Sequence, residues 1–334
     1  MIFYQLKEYA MKTPILILIF ATFCFQLQSK VLIFTYAFNR PDFIEIQHKT
    51  FETFIEDDYE FIVFSDANDE QTALDIKTMC AQLKLRHIPI PQEIHDRPYL
   101  PRIHGEKKDN IAVRNVTAVM YSLDLMGFNH NDILVLLDSD VFLVKPINIA
   151  ALMDEYDIAG RFLSPNERES KEGKLSYLWH GMAFLNLKTM PHKRGLSFNC
   201  GRIGATSVDA GGYSHYYLRQ NRHLALLQFD HLFSNEVKCS QCEEQREPTC
   251  RHNTEVLQAA GLDKNQITFL HTIHNGEADG SGFRSVEFFH NNTFLHYRAG
   301  TNWEGEQEEY HRQKTEALNV YIQTILEEKV TCNE

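Results

Sequence analysis

The sequence predicts an α/β protein: a mostly parallel central sheet flanked by helices, with a C-terminal helical tail. Three observations predict it. From Val31 onward, short apolar runs alternate with amphipathic stretches of helical period, the pattern of strands covered by helices. Ile133 to Leu137 are five consecutive apolar residues, as in a strand buried on both faces. Residues 308–329 repeat their apolar side chains at helical spacing.

Residues 31–38 (VLIFTYAF) read as the first strand and 41–55 as a helix that turns Phe43, Ile44, Phe51, Phe54 and Ile55 inward. Residues 59–66 form the second strand, 71–83 a helix and 87–91 a third strand. A polar loop rich in proline and charge is expected over 92–109. A helix over 110–126 then leads into NDILVLLDSDVFLVKP, a buried strand ending in two carboxylates. Further on, 146–154 reads as a short helix, 157–162 as a strand, 164–174 as a charged mobile loop and 180–187 (HGMAFLNL) as a strand. Glycine-rich turns fill 201–212. The tail helix is expected to pack through Ala317, Leu318, Val320, Tyr321, Ile325 and Leu326.

Composition narrows the function. With 43% hydrophobic and 23% charged residues, the 334-residue chain is neither disordered, collagen-like nor a coiled coil. Its 33 Lys+Arg against 45 Asp+Glu give a charge of -12, the wrong balance for nucleic acid as a partner. An acidic protein that handles an anionic substrate must supply positive charge locally, most economically as a divalent metal held by carboxylates. Near the N-terminus, residues 15–25 (ILILIFATFCF) carry Thr22 as their one polar residue. Such a run is too short to span a bilayer, which takes about 20 apolar residues. It matches a signal peptide or short anchor, with Met11 as a start, so export or membrane association through this segment is expected. The alternative is an apolar element packed on the body of a cytoplasmic chain.

The chemistry concentrates where the central strand ends. Asp138 and Asp140 are two residues apart, so in a continuing strand both would point to one side of the pleat. Delivered by a buried strand, that charge is costly unless a cation meets it. A hard ion such as Mn2+ or Mg2+, sharing its shell with phosphate oxygens, resolves the cost. The alternative is a strand-end turn in which Asp138 caps the next residues of the chain and Asp140 is solvated.

VLLDSDVFLVKPI resembles the D-x-D signature of GT-A glycosyltransferases, whose acidic pair holds the metal that bridges the diphosphate of a nucleotide sugar. FLHYRAGTNW is similar to the late His-Gly-Trp element of the glycogenin-like transferases. The resemblance makes His296 the third metal ligand, with Gly300 and Trp303 behind it; Thr301-Asn302 stands where that element has Lys-Pro. HGMAFLNL resembles the strand after the signature in these enzymes, with Gly181 and a terminal Asn186. The implied activity is a hexosyltransferase-like, divalent-metal-dependent transfer from a nucleoside-diphosphate sugar to a glycan, lipid or protein acceptor. The implied organisation is a nucleotide-sugar-binding half over 30–145, an acceptor-binding half over 146–305 and a helix over 306–334.

Within the resemblance, Thr35, Tyr36, Arg40 and Asp66 line the base and ribose, with Tyr36 stacking on the base and Arg40 pairing with phosphate; the alternatives are a turn residue for Asp66 and a solvated surface charge for Arg40. Arg114 shares a helix side with Asn110 and Thr117 and is a further phosphate or sugar contact. Asp138 and Ser139 complete the donor contacts. Asp209, in the loop DAGGYSHYYL, is the candidate base or sugar contact, against a plain turn role before Gly211 and Gly212. Trp179 and His180 are placed beside the donor sugar, His180 as a catalytic candidate. Cys239, Cys242, Cys250 and His252 have spacing that would enclose a structural Zn2+, or would pair as disulfides in an exported chain. Two other readings compete: a non-catalytic carbohydrate-binding protein on a decayed transferase scaffold, and a haloacid-dehalogenase-type phosphatase, in which Phe142 would stand at a Thr/Val position.

Overall fold

The computed structural model describes residues 31–96, 111–164, 175–233, 254–273, 286–298, 300 and 308–331. It is an α/β protein with a mostly parallel central sheet, flanking helices and a C-terminal helix. The seven-stranded sheet contains β1 (Val31–Ala37), β2 (Tyr59–Ser65), β3 (Arg86–Pro89), β4 (Ile133–Asp138), β6 (Ile158–Leu163), β7 (Tyr177–Asn186) and β10 (Leu226–Gln228). Its order is β10-β6-β7-β4-β1-β2-β3, so strands of both expected halves share one sheet. β1 runs parallel to β2 and β4 with every residue buried, while β7 is antiparallel to β4 and β6.

The sheet is covered on both faces. On one side lie α1 (Pro41–Phe54) and α2 (Glu70–Gln82). Pro41 opens α1 at a position whose N–H would lack a helical partner anyway. Asp69 caps α2 by accepting from Thr72 N at 2.9 Å. On the other side α4 (Ile111–Leu125) buries Val119 and Leu123 against Phe34 and Leu136. The expected loop after β3 begins instead with a short helix, α3 (Gln92–Asp96), which carries His95.

A second sheet, order β11-β12-β13-β5, was not legible in the sequence. It joins β5 (Val141–Leu143) to β13 (Phe294–His296), β12 (Glu287–Phe289) and β11 (His231–Phe233), all antiparallel. The expected single strand through the two aspartates is therefore two strands in two sheets, with Ser139-Asp140 as the turn between them. Gln47 of α1 holds that turn, donating from Nε2 to Asp138 O at 3.0 Å and Val141 O at 2.9 Å. The expected glycine-rich turns are a hairpin, β8 (Gly201–Ile203) and β9 (Thr206–Val208), followed by α6 (Ser214–Gln220).

Between α4 and β6, α5 (Ile149–Leu152) is shorter than the helix expected there. After β11 come α7 (Thr254–Ala259) and α8 (Lys264–Ile273), then α9 (Glu308–Thr331). α9 packs through Ala317, Leu318, Tyr321, Ile322 and Ile325. Val320, expected on that face, is 68% exposed; the packed stripe runs one position over, through Tyr321 and Ile322.

The expected membrane association or export is corrected here. Among the described residues no helix is long and apolar enough to cross a membrane, and the segment 15–25 that prompted the expectation lies outside the described residues. The Cys239, Cys242, Cys250 and His252 cluster, the loop 165–174 and Trp303 also lie outside them.

Candidate active site at the end of the central strand

The site forms where β4 leaves the first sheet and β5 enters the second. Asp138 is the last residue of β4, and the turn after it reverses which side the next acid faces, so Asp138 and Asp140 have different neighbours. Asp138 faces β7 and α4. Its Oδ1 lies 3.4 Å from His180 Nε2 and 3.5 Å from Asn115 Nδ2. Asp140 faces the second sheet. Its Oδ1 lies 3.4 Å from His296 Nε2, and its Oδ2 accepts from Gly300 N at 3.1 Å. The register pairs Val141 with His296, which brings the histidine beside the acid. The expected projection of both carboxylates to one side is thereby corrected: the strand stops at Asp138.

Two glycines make these approaches possible. A Cβ on Gly181 would lie 2.5 Å from Asp138 Oδ2 and 2.2 Å from Trp179 Cζ2. One on Gly300 would lie 2.8 Å from Asp140 Cβ and 2.6 Å from Phe43. Both are positions the sequence singled out.

Behind His296 stands Glu287, which sequence reasoning missed. The two face each other across the β12–β13 pair, and His296 Nδ1 donates to Glu287 Oε2 at 2.7 Å. Arg161, Arg298 and His231 also point at this carboxylate. A signal for the hairpin exists in the sequence: His290, Asn291 and Asn292 are all left-handed at its tip, a conformation asparagine tolerates. Trp179 packs on the His296 ring, centroids 5.1 Å apart.

Burial and pairing set the electrostatics. Burial opposes a charge on His296, but Asp140 and Glu287 overcome it and push its pKa up to about 9. Burial also opposes charge on Asp140, yet His296, the Gly300 N–H and Lys314 hold its carboxyl below the usual value. Glu287 is held well below its ordinary value: burial raises it, and hydrogen bonds from His231 and His296 prevail. Lys314 of α9 is driven down to about 7 by burial, with Asp140 opposing. Its ammonium donates to Tyr297 O.

Metal fit is partial. Asp140 Oδ1 and His296 Nε2 are spaced close to the roughly 3 Å expected of adjacent ligands in an octahedron of ~2.1 Å bonds. Among the described residues, however, no group of three or more His, Cys, Asp or Glu closes into a ligand set, because Asp138 faces His180 and Asn115.

The other expected contacts divide. Asp66 and Arg114 come together: Arg114 Nη2 donates to Asp66 Oδ1 at 2.9 Å and to Asp66 O at 3.0 Å. His95, which the sequence did not single out, lies 2.6 Å from the same oxygen. His180 is 1% exposed, and neither of its ring nitrogens has a hydrogen-bond partner among the described residues. Ser139 is buried in the turn.

Thr35 and Tyr36 are corrected: Thr35 is fully buried within β1, and Tyr36 belongs to the core. The Tyr36 hydroxyl bonds Ser122 Oγ at 2.7 Å and its ring stacks on Phe64, so it offers no face to a base. Tyr36→Phe is expected to cost about 1 kcal/mol of stability and to leave nucleotide binding unchanged, as denaturant titration and calorimetry would show.

Arg40 is corrected likewise. Its guanidinium sits over Phe43, bonds Asp42, donates to Gly300 O at 3.2 Å and reaches Thr315 Oγ1 at 3.3 Å, which makes it a clamp on the Gly300 segment and α9. Asp209 is exposed. Its Oδ1 accepts from Ala210 N at 2.7 Å, the turn role weighed for it. That turn packs on the backbone of Leu178, where a Cβ on Gly211, at φ 95°, would meet Leu178 O at 2.2 Å.

No family model matches the chain, and no curated protein matches it. Solved structures resemble it at low identity. Glucosyl-3-phosphoglycerate synthase from Mycobacterium tuberculosis, in complex with phosphoglyceric acid, is 14% identical over 60% of this chain and 69% of that one, with a TM-score of 0.35. The galactosyltransferase LgtC, in complex with donor and acceptor sugar analogs, is 14% identical over 47% of this chain and 58% of that one, TM-score 0.31. Core-mannan synthase A from Aspergillus fumigatus, in its Mn/GDP form, is 9% identical over 48% and 60%, TM-score 0.32. At such distances the functional reading rests on the site's own geometry.

Proposed function

We propose that the chain is a metal-dependent glycosyltransferase of the GT-A type, moving a sugar from a nucleoside-diphosphate sugar to an acceptor. One observation carries the reading. Asp140 meets His296 beside Asp138 at the carboxyl end of a central parallel strand, where open α/β sheets bind their ligands. Asp140 and His296 would hold Mn2+ or Mg2+, with Asp138 joining them only by turning from His180 and Asn115, and the bound ion would neutralise charge growing on the departing nucleoside diphosphate.

The chain's own residues bind and orient. The Asp66–Arg114–His95 cluster, at the end of β2, would take the base and ribose. Trp179, packed on His296, would present an aromatic face to the sugar. His180 Nε2 lies 3.4 Å from the Asp138 carboxylate. Positioning of this kind lowers the barrier by removing the entropy cost of alignment.

The test is release of nucleoside diphosphate from a panel of UDP- and GDP-sugars with Mn2+ present. Release that EDTA abolishes is expected. If no donor is consumed under any metal, the reading fails.

Metal binding should also depend on pH. The raised pKa of His296 means that its charge stabilises the metal-free fold fully below about pH 6.5 and that this contribution is lost as pH rises through about 9. A metal ligand must be neutral, so Mn2+ affinity should climb about tenfold per pH unit between roughly 7 and 9 and then level off. Calorimetry in buffers of different ionisation enthalpy would count the proton released. An affinity independent of pH would remove His296 from the ligand set.

A further inference from the structure

We propose that Glu287 is a positioning residue that presents His296 Nε2 toward the ion, which rests on the glycosyltransferase reading of the site. Glu287 is buried in the middle of the second sheet. Its carboxylate receives four donors. Oε2 takes His296 Nδ1 at 2.7 Å and Arg161 Nη1 at 3.0 Å. Oε1 takes His231 Nε2 at 3.3 Å and Arg298 Nη1 at 3.3 Å. A carboxylate offers about four acceptor positions, and four cationic side chains surround this one, two of them hydrogen-bonded and two at ion-pair distance.

The donors come from different parts of the fold. Arg161 lies on β6 of the first sheet, His231 on β11, and Arg298 just beyond β13. Both sheets therefore set where the carboxylate sits. Its shortest contact is to His296, directly opposite in the β12–β13 register. Trp179 closes one side of the imidazole at 5.1 Å. With Nδ1 engaged, the remaining ring nitrogen faces Asp140 at 3.4 Å. Two arginines would already neutralise a carboxylate that served packing alone; the histidine contact is what a ligand-orienting role requires. Outer hydrogen bonds of this kind fix the tautomer and direction of a ligating imidazole.

The test uses the full chain and Mn2+ alone, with free Mn2+ followed by electron paramagnetic resonance. Glu287→Gln should weaken Mn2+ binding about 10- to 100-fold while near-UV circular dichroism stays native. Wild-type protein loaded with Mg2+ supplies a second readout that needs no variant. Long-range 1H–15N spectra should show His296 protonated at Nδ1 and bare at Nε2. Unchanged Mn2+ affinity in a folded Glu287→Gln protein, or a proton kept on Nε2 with Mg2+ bound, overturns the proposal and leaves the glycosyltransferase reading standing. A wild-type protein that binds no Mn2+ overturns both.

Discussion

Asp140→Asn should lower nucleotide-sugar turnover by at least about 100-fold, the scale of losing one preorganised electrostatic contact at a centre of developing charge. The side chain keeps its shape, and its amide oxygen can still accept from Gly300 N, now at 3.1 Å from Oδ2. What disappears is the negative charge that faces His296 and would face an ion. Folding should survive with a modest loss: His296, raised to about 9 partly by this carboxylate, can shed its proton when the partner is gone. Initial rates with a UDP- or GDP-sugar and Mn2+, beside a circular dichroism spectrum, check the result. Turnover at the wild-type level in a folded variant would exclude Asp140 from the chemistry.

Gly181→Ala should damage the site and the fold together. The new methyl would sit 2.2 Å from Trp179 Cζ2 and 2.5 Å from Asp138 Oδ2, both inside van der Waals contact. Met182, its neighbour on β7, pairs with Leu137, so the strand cannot retreat without breaking the β4–β7 ladder. Trp179 and Asp138 must therefore shift, which disturbs the contact of the first with His296 and the spacing of the second from His180. Overpacking of this kind costs about 1–3 kcal/mol. Thermal unfolding should show that loss, and Mn2+-dependent nucleotide binding should weaken in parallel. A variant with wild-type melting and wild-type Mn2+ affinity would show that the close approach of Asp138 to β7 does not matter.

The first half of the fold was legible because each element carries its own periodicity. β1, β2 and α1 are set by local patterns, buried runs for the strands and an inward apolar stripe for the helix. The second sheet was not legible. Its strands are three residues each, too short to show alternation, and β5 pairs with β13 across about 150 residues of chain. Glu287 and His95 were missed for the same reason: each matters only through partners distant in sequence. Tyr36 and Arg40 went the other way. Their residue types suit base stacking and phosphate pairing, but burial against Phe64 and pairing with Asp42 decide otherwise.

By itself the sequence determined an α/β chain whose central apolar strand delivers two acids to its carboxyl end, because buried-strand and helix patterns depend on neighbours a few residues away. Only the tertiary structure decided that the acids part company at the turn, Asp138 toward His180 and Asp140 toward His296. That division depends on which strands pair across the two sheets, a matter of long-range register that local periodicity does not encode.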